Sequence, residues 1–359
     1  MLSGPEGPRL LISGLINLHF LRTRTDSKHS GNSKMNRDIS LISCAGSLPE
    51  NQLSISCEKI PSNVFSAGSL PPSGHRQLWR LNKKENITRL IENSLVTALQ
   101  QINMNVKELD SIIVNLVWPG NILYEEIILL ARALNISCPV IPVSLGTAGG
   151  MTALELGWNQ FASKNCNNVA VIAACNYAHW FSPDDPVRSL LSDGAACVIL
   201  SREPGMHLVH SHTIQTYNYA PLQFDVHGEY IKYTKESGEF IFKHLPETIY
   251  DCCYQLCREA GKEISDIRYF HIYDPTHWVR EVSENALKVD GGKIFTIFDK
   301  YGSLGPAQNL FALMELGSKE YISENDLVVL FGFGPSATAT SILLRWSNIP
   351  FSIQNVQVD

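Results

Sequence analysis

The chain has 359 residues, a net charge of -6 and 44% hydrophobic residues, enough to build sizeable cores as two domains or one large duplicated unit. The acidic balance, with no Lys or Arg run long enough for a basic stripe, argues against a nucleic-acid partner. Nine cysteines form no C-x-x-C pair and lie mostly in apolar runs, the pattern of free thiols in a reducing, cytoplasmic setting. The histidines show no metal-ligand spacing, and no metal site is expected; His210 and His212 in "VHSHTIQ" read as one face of a solvated strand.

In chain order, residues 1–36 are expected to be a disordered N-terminal extension, with Met35 as the natural start. Their apolar run from Leu10 to Leu21 is too short to span a bilayer and lacks a small-residue cleavage site after it, so neither a membrane anchor nor a leader is expected. "DISLISCAGSLPE" reads as a strand running into a turn. "NITRLIENSLVTALQQI" predicts an amphipathic helix, because Ile87, Leu90, Ile91, Leu95 and Leu99 recur at helical spacing. "LDSIIVNLVW" follows as a buried strand, "YEEIILLARALN" as a helix, "VIPVSL" as a strand, "GMTALELGWNQFAS" as a helix, and "NVAVIAAC" and "GAACVILS" as strands. The second half repeats that grammar: "ETIYDCCYQLCREAG" is a helix, "DIRYFHIYD" a strand, "WVREVSENAL" and "NLFALMELG" helices, and "NDLVVLFGFG" and "ATATSILLRW" strands. Two α/β halves, residues 37–203 and 204–359, follow from the repeated order.

One bend stands out. In "VSLGTAGGMTAL" a strand passes through glycines into a helix beginning at Gly149 or Gly150, and the residue at the bend is Thr147. Backbone N–H groups and a helix dipole converge at such a place, which suits a nucleophile.

From about Asp38 to Trp346 the ordered motifs resemble the thiolase superfamily and, within it, the β-ketoacyl-acyl-carrier-protein synthase III family. "ISCAGSLPENQLS" is similar to that family's opening strand and turn, "SLLSDGAACVIL" to its Gly-Asp-Gly-Ala strand, "KYGSLGPAQNLFAL" to its Gly-Asn-Thr segment, and "VVLFGFGPSATATSILL" to its last turn and strands. The resemblance implies a thiolase-like five-layer fold of two duplicated α/β halves, with Thr147 and Gly334 meeting at one cavity. It implies acyl thioesters as substrates, carried by coenzyme A or the phosphopantetheine of an acyl carrier protein, and no permanently bound cofactor. A dimer is also implied, with "NVAVIAAC" expected at the sheet edge.

The family's chemistry uses a cysteine, a histidine and an asparagine, and each of the three positions departs here. Thr147 aligns with the cysteine; a hydroxyl ionises far above a thiol, so it would attack only with a general base in reach. Asp274 aligns with the histidine, followed by His277 in "DPTHWVREV". Two readings stay open: His277 serves the site, or Asp274-Pro275 begins a helix as N-cap and first residue, with His277 a bystander. Ser303 aligns with the asparagine, and Asn309 reads as a polar residue on the face of the next helix. Gly149, Gly332 and Gly334 would supply oxyanion-holding turns or serve tight bends only. Asp193-Gly194 reads as a structural turn. Cys175 with His179 would be a substitute nucleophile and base, whereas Trp180 and Phe181 would line an acyl tunnel.

Two classes of function compete. One is an acyltransferase of specialised metabolism, making polyketide- or fatty-acid-like products from acyl thioesters with an altered active site. The other is a non-catalytic partner subunit of an active ketosynthase. The expected assembly is a homodimer, or a heterodimer with an intact synthase homologue.

Overall fold

A computed structural model describes residues 39–56, 75–82, 86–116, 122–163, 165–176, 180–182, 184–215, 223–224, 231–232, 235–319, 322–334 and 338–358. All of them lie in the compact unit Asn36–Asp359. The expected N-terminal extension, His179 and part of the "GFGPSATA" turn fall outside the described residues.

The N-terminal half opens with strand β1 (Ser40–Pro49), buried along its whole length, and a hairpin of β2 (Gln52–Ser56) and β3 (His75–Trp79). Helix α1 (Ile87–Gln100) starts where the Asn86 side chain accepts the Thr88 N–H, and buries the five apolar residues its spacing predicted. Then come β4 (Ser111–Leu116), α2 (Ile122–Ala133), β5 (Val140–Val143), a 3-10 turn at Gly146–Ala148, α3 (Gly149–Gln160), β6 (Asn168–Cys175) and β7 (Gly194–Ser201). The C-terminal half has β8 (Met206–Gln215), the short pair β9 (Gln223–Phe224) and β10 (Ile231–Lys232), α4 (Lys235–Glu259), β11 (Ile267–Ile272), α5 (Val279–Leu287), α6 (Phe298–Tyr301), a 3-10 turn at Gly305–Ala307, α7 (Gln308–Gly317), β12 (Leu327–Phe333), β13 (Thr338–Arg345) and β14 (Phe351–Val356).

Strand order reveals the duplication. One half runs β5-β4-β6-β7-β1 and the other β11-β12-β13-β8, so β4, β6, β7 and β1 correspond to β11, β12, β13 and β8. Where the second half would have its own version of β5, a single parallel bridge joins Phe270 to Ile294. The two ladders meet where Ser40 and Leu41 of β1 pair with His207 and Met206 of β8. β14 crosses back and pairs in parallel with β1, Cys44 opposite Phe351 through Pro49 opposite Val356.

Three cores separate five layers. Helices α1 and α2 cover one face of the N-terminal strands with Leu90, Ile91, Ile127 and Leu130. Helices α3 and α7 fill the middle, where Met151, Leu154, Phe311 and Leu313 pack against both sets of strands. Helices α4 and α5 close the far face with Ile249, Cys253, Leu256 and Val279.

The expected edge strand is corrected. β6, "NVAVIAAC", lies between β4 and β7, and its uniform apolarity reflects burial on both faces. Among the described residues β5 and β11 end the ladder; Pro142 suits an end strand, and Ile141 of β5 is 36% exposed. Close to it in sequence, Ile128 and Leu129 of α2 are 60% and 53% exposed. Among the described residues, no helix is long and apolar enough to cross a membrane.

Candidate functional site

The bend at Thr147 is built by backbone geometry and close approach. Gly146 takes φ +57°, a conformation that favours glycine, and turns the chain at the end of β5 into the 3-10 turn that leads α3. Asn115, at the end of β4, holds this turn: its Nδ2 donates to Gly146 O at 3.4 Å and its Oδ1 accepts from Leu145 N at 3.3 Å. Gly149 has an ordinary helical φ of -63°; it must be glycine because a Cβ there would collide with the Asn115 side chain. Gly150 is required in the same way by the Pro306 carbonyl, which brings the Gly305–Ala307 turn against the Thr147 turn.

Thr147 and Gly334 do meet. A Cβ on Gly334 would run into Thr147 Oγ1 and lie 2.9 Å from Ala148 N and 3.1 Å from Thr147 N. The Thr147 hydroxyl is buried and donates to Phe333 O at 2.7 Å; among the described residues it makes no other hydrogen bond. Gly332 belongs to β12, where a Cβ would press to 3.0 Å from Met151 Cγ, so its smallness lets α3 pack on the strand.

Asp274 is buried and fully engaged. Its Oδ2 accepts from the backbone N–H groups of Ile297 and Phe298, both at 3.1 Å, and its Oδ1 accepts from Gln308 Nε2 at 2.5 Å. The capping reading is therefore corrected in its target. Helix α5 begins at Val279 behind Trp278, and the Asp274 carboxylate instead satisfies the free N–H groups that open α6, some two dozen residues ahead. His271 Nε2 lies 3.3 Å from Asp274 Oδ1, while its Nδ1 meets Asn309 Oδ1 at 2.8 Å. Asn309 is in α7 as expected, but buried as His271's partner instead of facing solvent.

Ser303 is buried, its Oγ 2.8 Å from the Tyr273 hydroxyl. Its main chain is tied to the neighbouring loop, Ser303 N donating to Leu190 O at 2.7 Å and Ser192 N to Ser303 O at 2.8 Å. The Asp193 side chain accepts the Leu81 N–H at 2.9 Å, so it ties the start of β7 to the chain after β3.

His277 is partly exposed and has a carboxylate partner: its side chain is 32% exposed and its Nδ1 is 3.4 Å from Asp299 Oδ1. Cys175 is buried with Phe181, Leu190, Leu191 and Phe298, its Sγ 3.5 Å from Ser192 O, and Trp180 packs against that cluster while its Nε1 donates to Asn176 Oδ1 at 2.9 Å. Burial also pushes other thiols up, Cys252 to about 12 and Cys257 to about 11, so neither is a ready thiolate. His210 and His212 both face Glu259 Oε2, at 3.2 and 3.0 Å. Burial alone would raise the Glu259 carboxyl, but hydrogen bonds from the two histidines outweigh it and bring it below its usual value.

Sequence reasoning missed Tyr273, Asn115, Gln308 and His271. All four lie in stretches quoted for their secondary structure or resemblance, Gln308 in "KYGSLGPAQNLFAL", His271 and Tyr273 in "DIRYFHIYD" and Asn115 in "LDSIIVNLVW", where nothing local marks them as site residues.

Two duplicated α/β halves in five layers, with paired 3-10 turns heading the central helices, define a thiolase-like fold. Residues 257–346 match the family model described as 3-oxoacyl-[acyl-carrier-protein (ACP)] synthase III C terminal. A β-ketoacyl-[acyl-carrier-protein] synthase III of Clostridium botulinum (strain Okra / Type B1) is 23% identical over 292 residues, covering 75% of this chain and 86% of that synthase. The crystal structure of the 3-oxoacyl-[acyl-carrier-protein] synthase III from Aquifex aeolicus VF5 superposes with a TM-score of 0.74 at 22% identity, over 86% of this chain and 100% of that one. The priming β-ketosynthase of the R1128 polyketide biosynthetic pathway gives a TM-score of 0.75 at 15% identity, over 88% and 98% of the two chains. The chain is thus similar to synthase III proteins in sequence and shares their fold.

Proposed function

We propose that the chain is a synthase III-like protein of acyl-thioester metabolism whose substituted site, Thr147 with Asp274 and Ser303, does not form an acyl-enzyme. In this reading it serves specialised metabolism as the non-catalytic partner of an active ketosynthase. The observation that carries the reading is the Thr147 hydroxyl, whose proton goes to the Phe333 carbonyl. A threonine attacks only when a base takes that proton, and His277, the base the sequence offered, is paired with Asp299. The relatives named for acyl-carrier-protein synthases support acyl thioesters on coenzyme A or an acyl carrier protein as the ligands, with no permanently bound cofactor. Residues 37–203 and 204–359 are the two duplicated halves. The open edge of β5, with exposed Ile141, supports pairing with a second thiolase-like subunit, identical or an intact homologue. The chain works in the cytoplasm, with neither nucleic acid nor membrane as a partner.

A second reading, an acyltransferase that passes the acyl group directly from thioester to acceptor, is favoured by the retained bend. Thr147 N and Ala148 N lie beside Gly334 whatever side chain stands at position 147, and such backbone donors would hold an oxyanion. Intact-protein mass spectrometry after exposure to acetyl-CoA and to acetyl-acyl carrier protein tests the proposal. Unmodified protein is expected; a stable acyl shift that maps to Thr147 and vanishes in Thr147→Ala would overturn it.

A further inference from the structure

Tyr273, the residue that follows β11 and precedes Asp274, touches one of the three positions at which the resemblance places reacting groups, adjoins a second in the chain, and packs on the residue that holds the third. Its hydroxyl is 2.8 Å from Ser303 Oγ. Its ring meets the Phe333 ring edge-on, centroids 5.4 Å apart, and the carbonyl of that same Phe333 accepts the Thr147 hydroxyl at 2.7 Å. Its chain neighbour is Asp274, held by the N–H groups of α6 and by Gln308. The Tyr273 N–H donates to Phe331 O at 2.8 Å, so the pairing of β11 with β12 fixes where the ring can go. The side chain is buried and its polar end has found a partner, as a buried phenol requires.

A thioester attacked at position 147 and steadied at positions 274 and 303 would have to pass between those residues. The Tyr273 ring stands beside that path, edge-on against Phe333 and with its hydroxyl on Ser303. We infer that Tyr273 is the chain's own occupant of the acyl-thioester site, and that shortening this side chain opens the site to a thioester ligand. The inference rests on the reading above for the class of ligand, and it adds the residue that sets access. Two properties of the ring are separable: its volume excludes the ligand, while its hydroxyl secures the Ser303 turn.

Isothermal titration calorimetry with acetyl-CoA, on the full chain and on Tyr273→Phe, Tyr273→Leu and Tyr273→Ala, tests this. Wild type and Tyr273→Phe are expected to bind weakly and alike, because the ring remains; Tyr273→Leu and Tyr273→Ala are expected to bind about tenfold tighter or more. Tyr273→Leu keeps apolar packing against Phe333, so it decides the matter if the alanine variant does not fold. Wild-type affinity equal to that of the shortened variants, or a folded Tyr273→Leu with no gain, would overturn the inference. The partner reading fails on a different result, an acyl adduct at Thr147, which a binding titration does not register.

Discussion

Replacing Gly334 with alanine places a methyl group against the Thr147 turn, and the outcome can be worked from the contacts. Gly334 does not sit at positive φ, so backbone strain is not at issue; space is. The new Cβ would overlap Thr147 Oγ1 and crowd Ala148 N at 2.9 Å. Main-chain atoms at the head of α3 cannot swing aside as a flexible side-chain end does, so a cost of about 2–3 kcal/mol is expected, the upper part of the overpacking range. Thr147→Ala alone removes the hydroxyl that donates to Phe333 O and leaves that buried carbonyl short of a donor, for about 1–3 kcal/mol. In the double variant the worst overlap is gone, because the oxygen is gone, while the crowding at Ala148 N persists. The combined cost is therefore expected to fall short of the sum by about 1 kcal/mol. Urea unfolding of the four proteins, fitted with a common slope, measures the cycle. Additivity to within about 0.5 kcal/mol, or a Gly334→Ala variant as stable as wild type, would refute the contact and with it the meeting of the two halves at this bend.

Two further outcomes follow from other parts of the molecule. Ile141→Lys on the β5 edge puts a charge where an edge-to-edge subunit would pair; light scattering should show the dimer lost while the circular dichroism spectrum is kept, and an unchanged dimer would exclude β5 as the pairing edge. Tyr301 is held protonated above its usual value of 10 by burial and by the Glu315 carboxylate 2.6 Å from its hydroxyl. The unfolded chain thus releases this proton first, so the stability from this group is complete below pH 10 and declines as pH rises above it; the alkaline limb of a melting-temperature profile should flatten in Tyr301→Phe, and an unaltered limb would count against the assignment.

The layers were legible because their cause is local. Ile87, Leu90, Ile91, Leu95 and Leu99 repeat every turn of α1, and the apolar runs of β4, β6, β7 and β12 announce strands buried on both faces. The same rule, applied to "NVAVIAAC", should have placed it at the centre, and Pro142 in "VIPV" marked the edge that was missed. β14 and the hairpin of β2 and β3 carry weak alternation and were not foreseen. In the site, the Thr147 bend could be read from its glycines, since the chain's path dictates Gly146 and the Asn115 side chain dictates Gly149. What Asp274 does could not be read: its partners lie at Ile297, Phe298 and Gln308, and Asp-Pro looks like a helix start until the distant N–H groups are seen. Tyr273 drew no separate reading, because its partners Phe333 and Ser303 are not sequence neighbours.

The pairing of β14 with β1 also orders events during synthesis. Along one flank β1 is bonded to β7, but from Cys44 to Pro49 the other flank receives its partner from Phe351–Val356, which is synthesised much later. Until β14 leaves the ribosome, this stretch of β1 keeps one row of backbone donors and acceptors bare. Closing that gap joins segments roughly 300 residues apart, the kind of long-range pairing that slows folding. A nascent chain stalled just short of Phe351 would display a ready template for aggregation.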